Sequence, residues 1–138
     1  MGKVVTVETQ RTAVGAFFGS LSSFATATLG SFVIENILKR TKLDPSLIDD
    51  VILTQVLQAG NGQNLARQVS LKASLGVQTP ATTINQICGS GISSVMMAVQ
   101  SILARNSEII LADRQENISK APHLDLFSRT SVKLGTLP

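Results

Sequence analysis

The apolar positions of this chain alternate between strand-like runs and helix-like spacing. Lys3 to Glu8, rich in Val and Thr, predicts a first strand. Gly15, Gly19, Ser20, Ser22 and Ser23 then break the pattern into a loop. From Leu29 to Arg40 the spacing turns helical: Leu29, Val33 and Ile37 share a face, with Ile34 and Leu38 beside them. Lys39 and Arg40 fall in the last turn, where cations suit the helix dipole. Asp44-Pro45 supplies the cap and first position of a short helical turn. Val51 to Leu57 predicts the next strand, and Ala59-Gly60-Asn61-Gly62 ends it. A second helix is expected over Asn64 to Ser74, apolar at Leu65, Ala66, Val69 and Ala73. A short β-favouring run, Ala81 to Ile84, follows Pro80. The helix expected from about Gly89 to Ala104 carries Ile92, Val95, Met96, Met97, Val99, Ile102 and Leu103, so it is apolar on most faces and is expected to be buried on more than one side. Glu108 to Ala112 reads as a fourth, apolar strand.

Strand followed by helix, repeated, predicts an α/β architecture: a mostly parallel sheet with helices on both faces. Residues 1–112 are assigned to this α/β layer. From Asp113 to Pro138 the periodicity fades, and that segment is expected to need something else to pack on. Aromatic residues make up only 4 %, with no Trp or Tyr, so the core must be built from Val, Ile, Leu, Ala and Met, which suits strands covered by helices.

Charge narrows the function less than fold. The net charge of +3 comes from basic residues spread along the chain, without the basic stripe or stacking aromatics that nucleic-acid binding requires. No run approaches the length of a membrane-spanning helix, so neither nucleic acid nor membrane is expected as a partner. The N-terminus lacks the charged and apolar regions of a secretory signal. Met1 to Thr6 fits a permissive lipidation pattern, but its Val and Thr read better as the start of a strand. One Cys allows no internal disulfide, which fits a reducing, cytoplasmic compartment. One Cys and one His also argue against a zinc site, and no phosphate-cradling Gly-Lys-Ser or Gly-Lys-Thr and no full dinucleotide glycine pattern occurs. No metal or bound cofactor is therefore expected.

The candidate chemistry sits at Cys88. A lone Cys is most often a small buried apolar residue. Here it follows a strand and opens a helix, where the first amides lack intrahelical partners and carry partial positive charge. A thiolate there is stabilised, and the same amides can hold an oxyanion formed when sulfur attacks a carbonyl. Gly89-Ser90-Gly91 lets substrate and backbone approach closely. Two glycines at the start of an apolar helix cost stability, and a local cost without a packing gain marks a site. His123, the one His, falls in a loop.

Several stretches resemble the thiolases, acyl-CoA acyltransferases that make or cleave 3-ketoacyl-CoA. Val5 to Leu21, with Arg11-Thr12-Ala13-Val14-Gly15 and Phe18-Gly19-Ser20-Leu21, is similar to that family's first strand and loop. Leu57-Gln58-Ala59-Gly60, Gly62-Gln63-Asn64 and Ala66-Arg67-Gln68 are similar to its second strand, loop and helix. Pro80-Ala81-Thr82-Thr83-Ile84-Asn85-Gln86-Ile87-Cys88-Gly89-Ser90-Gly91 is close to its nucleophile signature. Glu116-Asn117-Ile118-Ser119 and Ala121-Pro122-His123 resemble the segment after its fourth strand. The resemblance implies an incomplete N-terminal half of a thiolase, with Cys88 as the acyl-thioester nucleophile whose own N–H also faces an oxyanion. It implies coenzyme A thioesters as substrates, Claisen condensation or thiolysis as the reaction, and either a homo-oligomer or a complementing second-half chain as partner. Two departures stand out. Asp113-Arg114 replaces a Gly-Gly pair that lies near the nucleophile in the family, and Ser131 replaces a Gly in the tail. The second half, which carries the family's catalytic His residues and second Cys, has no counterpart in these 138 residues, and His123 matches a family His that is not catalytic. The expectation is a truncated acetyl-CoA acetyltransferase-type chain, inactive alone. The alternatives are a non-catalytic remnant or interaction module, or one half of a split enzyme.

Overall fold

The computed structural model describes residues 3–124; Met1, Gly2 and residues 125–138, Ser131 among them, lie outside it. The elements are α1 (Thr26–Thr41), β1 (Asp50–Thr54), α2 (Leu65–Lys72), β2 (Ala81–Ile84), α3 (Ser90–Leu103) and β3 (Ile110–Arg114). The three strands form one parallel sheet in the order β2-β1-β3. β1, in the middle, is covered on both faces, as its apolar run Val51-Ile52-Leu53 requires.

One face packs against α1 and α2. Val51 and Leu53 of β1 meet Ala27 and Ile34 of α1 and Ala66 and Val69 of α2, with Ile48, Ala73 and Leu75 closing the cluster. Burying Ile34, Val51, Leu53 and Val69 contributes roughly 1.5–3 kcal/mol each. α1 ends as its sequence requires: Lys39 and Arg40 occupy the last turn, and Lys42 adopts a left-handed cap with its N–H on the Leu38 carbonyl. Asp44 caps the short 3-10 turn Pro45–Leu47 by accepting from the Ser46 N–H. α2 is capped by Asn64, whose Oδ1 accepts from the Arg67 N–H at 3.1 Å and whose Nδ2 donates to the Ala81 carbonyl at 2.9 Å, so the cap also fixes β2.

Four expectations need correction. Lys3 to Glu8 form no strand: the segment is extended, Val5 and Val7 are exposed, and it joins no ladder among the described residues. Its β-favouring residues lack a neighbouring strand. Polar side chains tether its end to α1 instead, through Gln10 to Asn36 at 2.9 Å and Glu8 to Arg40 at 3.5 Å. β1 stops at Thr54 instead of running to Leu57, because the Val56 and Leu57 N–H groups donate to the Glu116 carboxylate. β3 begins at Ile110 and runs to Arg114 instead of spanning Glu108 to Ala112. The Glu108 and Ile109 amides are taken by the Asp49 carboxylate, at 2.7 and 2.9 Å.

The fourth correction concerns α3, which covers the sheet's other face. It is not buried on several sides. Ser90, Ser94 and Ala98, four residues apart, are the buried ones. Their small side chains let the helix lie close on β1 and β3, which leaves the large apolar residues outside: Ile92 is 65 % exposed and Met96 55 %, with Val95, Met97 and Leu103 beside them.

Candidate active site around Cys88

The carboxyl ends of all three strands meet at one edge: Thr54 is in register with Ile84 on one side and Arg114 on the other. The crevice beyond such an edge is where open parallel sheets place ligands. Cys88 lies there, in a single 3-10 turn, Ile87–Gly89, between β2 and α3, and it is exposed.

Side chains hold this turn in place. Asn85 accepts from the Ile87 N–H at 2.9 Å and donates to the Val56 carbonyl at 3.1 Å, tying the end of β2 to the end of β1. Ser90, fully buried, accepts from the Gln86 N–H at 2.7 Å and donates to the Ile87 carbonyl at 2.6 Å. The Gly89 N–H donates to the Gln86 carbonyl at 3.0 Å, and Ser93 donates to the Gln86 side chain. None of these bonds uses the Cys88 N–H. Ile87 adopts φ 53°, a left-handed conformation that a β-branched residue rarely takes. A strained residue held by surrounding bonds just before an exposed thiol presents that thiol to solvent. A Cβ placed on Gly89 would meet nothing within 4 Å, so the space beside the cysteine is open there.

The segment after β3 completes the scaffold. Glu116 accepts from the Val56 and Leu57 amides at 2.9 and 3.4 Å, and so supports the loop on which Asn85 rests. The Asn117 amide donates to the carbonyls of Leu21, Ser22 and Phe24, which sets the entry to α1. Ser119 accepts from the Phe18 N–H at 2.9 Å. Asn85, Ser90, Glu116 and Asn117 all stand inside the thiolase-like motifs, but their side-chain-to-backbone roles leave no periodic trace in sequence.

Asp113 and Arg114 point to opposite faces, as neighbours on a strand must. The Arg114 stem runs over Gly91: a Cβ on that glycine would lie 3.3 Å from the arginine Cβ and 3.6 Å from its Cδ. Asp113 faces α1. With Arg11, Leu29, Gly30, Val33, Arg114 and Gln115 it borders a cleft of about 410 Å³. Burial pushes the Asp113 carboxyl up to about 6, against a smaller opposing pull from the Arg114 N–H that it accepts at 2.6 Å. Gln115, buried against Gly30, has no hydrogen-bond partner for either amide atom among the described residues. Cys88 does not line this cleft, and His123 is exposed on the segment after β3. No group of three or more metal-ligating side chains occurs among the described residues.

The described residues define an α/β unit of three layers, with a parallel sheet between helices and an exposed cysteine at the strand ends. The model of the thiolase N-terminal domain matches residues 4–137, and the chain belongs to that family. It is similar to the acetyl-CoA acetyltransferases of Cupriavidus necator (47 % identity over 135 residues), Pseudomonas aeruginosa (46 % over 135) and Chromobacterium violaceum (46 % over 133). These matches cover 98, 98 and 96 % of the chain and 34 % of each relative, so the chain spans about a third of their length.

Proposed function

We propose that this chain supplies the nucleophile half of a thiolase-type acyltransferase acting on acetyl-CoA or a related acyl-CoA, in the cytoplasm. Cys88 attacks the thioester carbonyl, a bond forms from its sulfur to the acyl carbon, and the coenzyme A thiol leaves. Deprotonating the second acyl-CoA, or the thiol that reverses the reaction, falls to groups beyond residues 1–138. The observation that carries this reading is the exposed Cys88 turn, braced by Asn85 and Ser90 at the carboxyl edge of a parallel sheet, in a member of the thiolase N-terminal family.

No described side chain is placed to act as a base toward Cys88: His123 is exposed on the segment after β3 and Asp113 faces the opposite side of the sheet. Acid–base help is worth roughly two to four orders of magnitude in rate. The chain alone is therefore expected to show little or no turnover, and residues 113–138 are read as leading into the region that contacts coenzyme A. The test is co-expression with a chain carrying the remaining two thirds of an acetyl-CoA acetyltransferase. Co-purification and thiolysis of acetoacetyl-CoA that disappears in Cys88→Ala are expected. A pair that co-purifies and stays inactive would sink the proposal.

A further inference from the structure

We propose that Arg114 makes the Cys88 site selective for acyl thioesters whose acyl chain ends in an anionic group, such as a carboxylate. The proposal deepens the acyl-transfer reading and rests on it. Its basis is the placement of one side chain. Arg114 stands at the carboxyl end of β3, in register with Thr54, on the sheet face that α3 covers. Its aliphatic stem crosses Gly91 in the first turn of α3, the helix that the Cys88 turn leads into. Cys88 and Arg114 thus flank the same end of α3, at the carboxyl edge of the sheet.

Among the described residues the guanidinium has no competing partner. The described residues hold one ion pair, Arg40 with Glu8, and Arg114 donates no side-chain hydrogen bond among them. The neighbouring Asp113 is in register with Leu53, on the sheet face that packs against α1 and α2, and its carboxyl accepts from the Arg114 backbone N–H, not from its side chain. The Glu116 carboxylate, on the segment that follows β3, is occupied by the Val56 and Leu57 amides. Arg114 is exposed, so its charge is open to an arriving molecule. A planar, permanently charged fork of this kind suits a carboxylate.

The single Cys makes a clean test. Alkylation of Cys88 by anionic iodoacetate and by neutral iodoacetamide is followed by intact mass at low salt. The iodoacetate-to-iodoacetamide rate ratio is expected to fall roughly three- to tenfold in Arg114→Gln, the size expected of one nearby charge in partly screened surroundings. Arg114→Lys should keep most of the wild-type ratio, and molar salt should bring the wild-type ratio down to the Gln value. An equal ratio in wild type and Arg114→Gln overturns the proposal. If Arg114→Gln fails to fold, a wild-type ratio indifferent to salt overturns it. The second arm compares S-acylation of Cys88 by adipoyl and hexanoyl thioesters of N-acetylcysteamine, which match in chain length and differ in the terminal charge. A preference for adipoyl that is lost in Arg114→Gln is expected. Acylation by both without preference overturns this proposal alone. Both thioesters are presented to the chain co-purified with its complementing second-half chain, and acylation by neither there overturns the acyl-transfer reading, and the substrate class with it, whatever the alkylation ratio shows.

Discussion

Ile87 holds the backbone conformation that an L-residue pays about 1–2 kcal/mol to adopt, and it does so directly before Cys88. The bonds from Asn85 and Ser90 to the Gln86 and Ile87 backbone are what offset that cost. Ser90→Ala removes both bonds made by a fully buried hydroxyl and leaves the Gln86 N–H without its partner, while the Ile87 carbonyl keeps the backbone N–H of residue 90. It is expected to lower stability by about 1–3 kcal/mol, read as a lower urea midpoint at unchanged slope. Asp113 acts in a different way. Its carboxyl is raised from 3.8 to about 6 by burial, so the folded state favours the protonated form. The contribution is fully present below pH 3.8 and is lost as pH rises through about 6, up to about 3 kcal/mol in all. Asp113→Asn should therefore match the parent in acid and exceed it progressively between pH 4 and 6.5. Urea titrations at stepped pH check this, and a difference that stays flat across that range would refute the burial argument.

The two faces of α3 make opposite predictions at the scale of the element. Ser94 is fully buried on the sheet, with its hydroxyl on the Gly91 carbonyl at 2.8 Å, while Met96, two residues on, is 55 % exposed. Ser94→Leu should force the helix off β1 and β3 and cost about 1–3 kcal/mol or more. Met96→Lys should fall within about 0.5 kcal/mol of the parent. Thermal melts of the two variants test the assignment, and equal losses would mean that both faces are covered. This orientation is also where sequence reading stopped short. Period alone located all three helices and the strand Ala81–Ile84, because each has a buried face that recurs with the right spacing. It marked Ile92, Val95 and Met96 as interior because they are apolar, whereas close approach to the sheet selects the small residues Ser90, Ser94 and Ala98. Lys3 to Glu8 has strand composition, but pairing depends on a neighbour that no local pattern encodes. The ends of β1 and β3 moved for a similar reason: Glu116 and Asp49, distant in sequence, capture the amides there. At the candidate site the Cys88-Gly89-Ser90-Gly91 run was legible, and so was the oddity of Asp113-Arg114. That the two strand residues face opposite sides, one over Gly91 and one toward α1, needed the register of β3 on β1.

At the scale of the molecule, the sheet is finished on one side and α3 is not. α1 and α2 seal a continuous core, whereas Ile92, Val95, Met96, Val99 and Leu103 follow one another at helical spacing along the outer side of α3, four of the five exposed. Contiguous apolar surface of this kind drives association when nothing covers it. The described residues hold no helix long and apolar enough to cross a membrane, so the stripe is not a spanning segment. Residues 1–138 alone are therefore expected to self-associate, with a sedimentation coefficient that rises with protein concentration. The double variant Ile92→Lys, Met96→Lys should sediment as a single species at all concentrations with an unchanged far-UV spectrum, since both side chains point away from the sheet. The same double variant should also lose co-purification with the complementing chain, while Cys88→Ala, at the helix start and outside the stripe, should keep it. If association persists in the double variant, the contact lies elsewhere, and the open edge of β3 becomes the surface to alter. If the parent stays monomeric throughout, the stripe does not drive assembly by itself, and any recognition by a second half must come from the strand ends around Cys88.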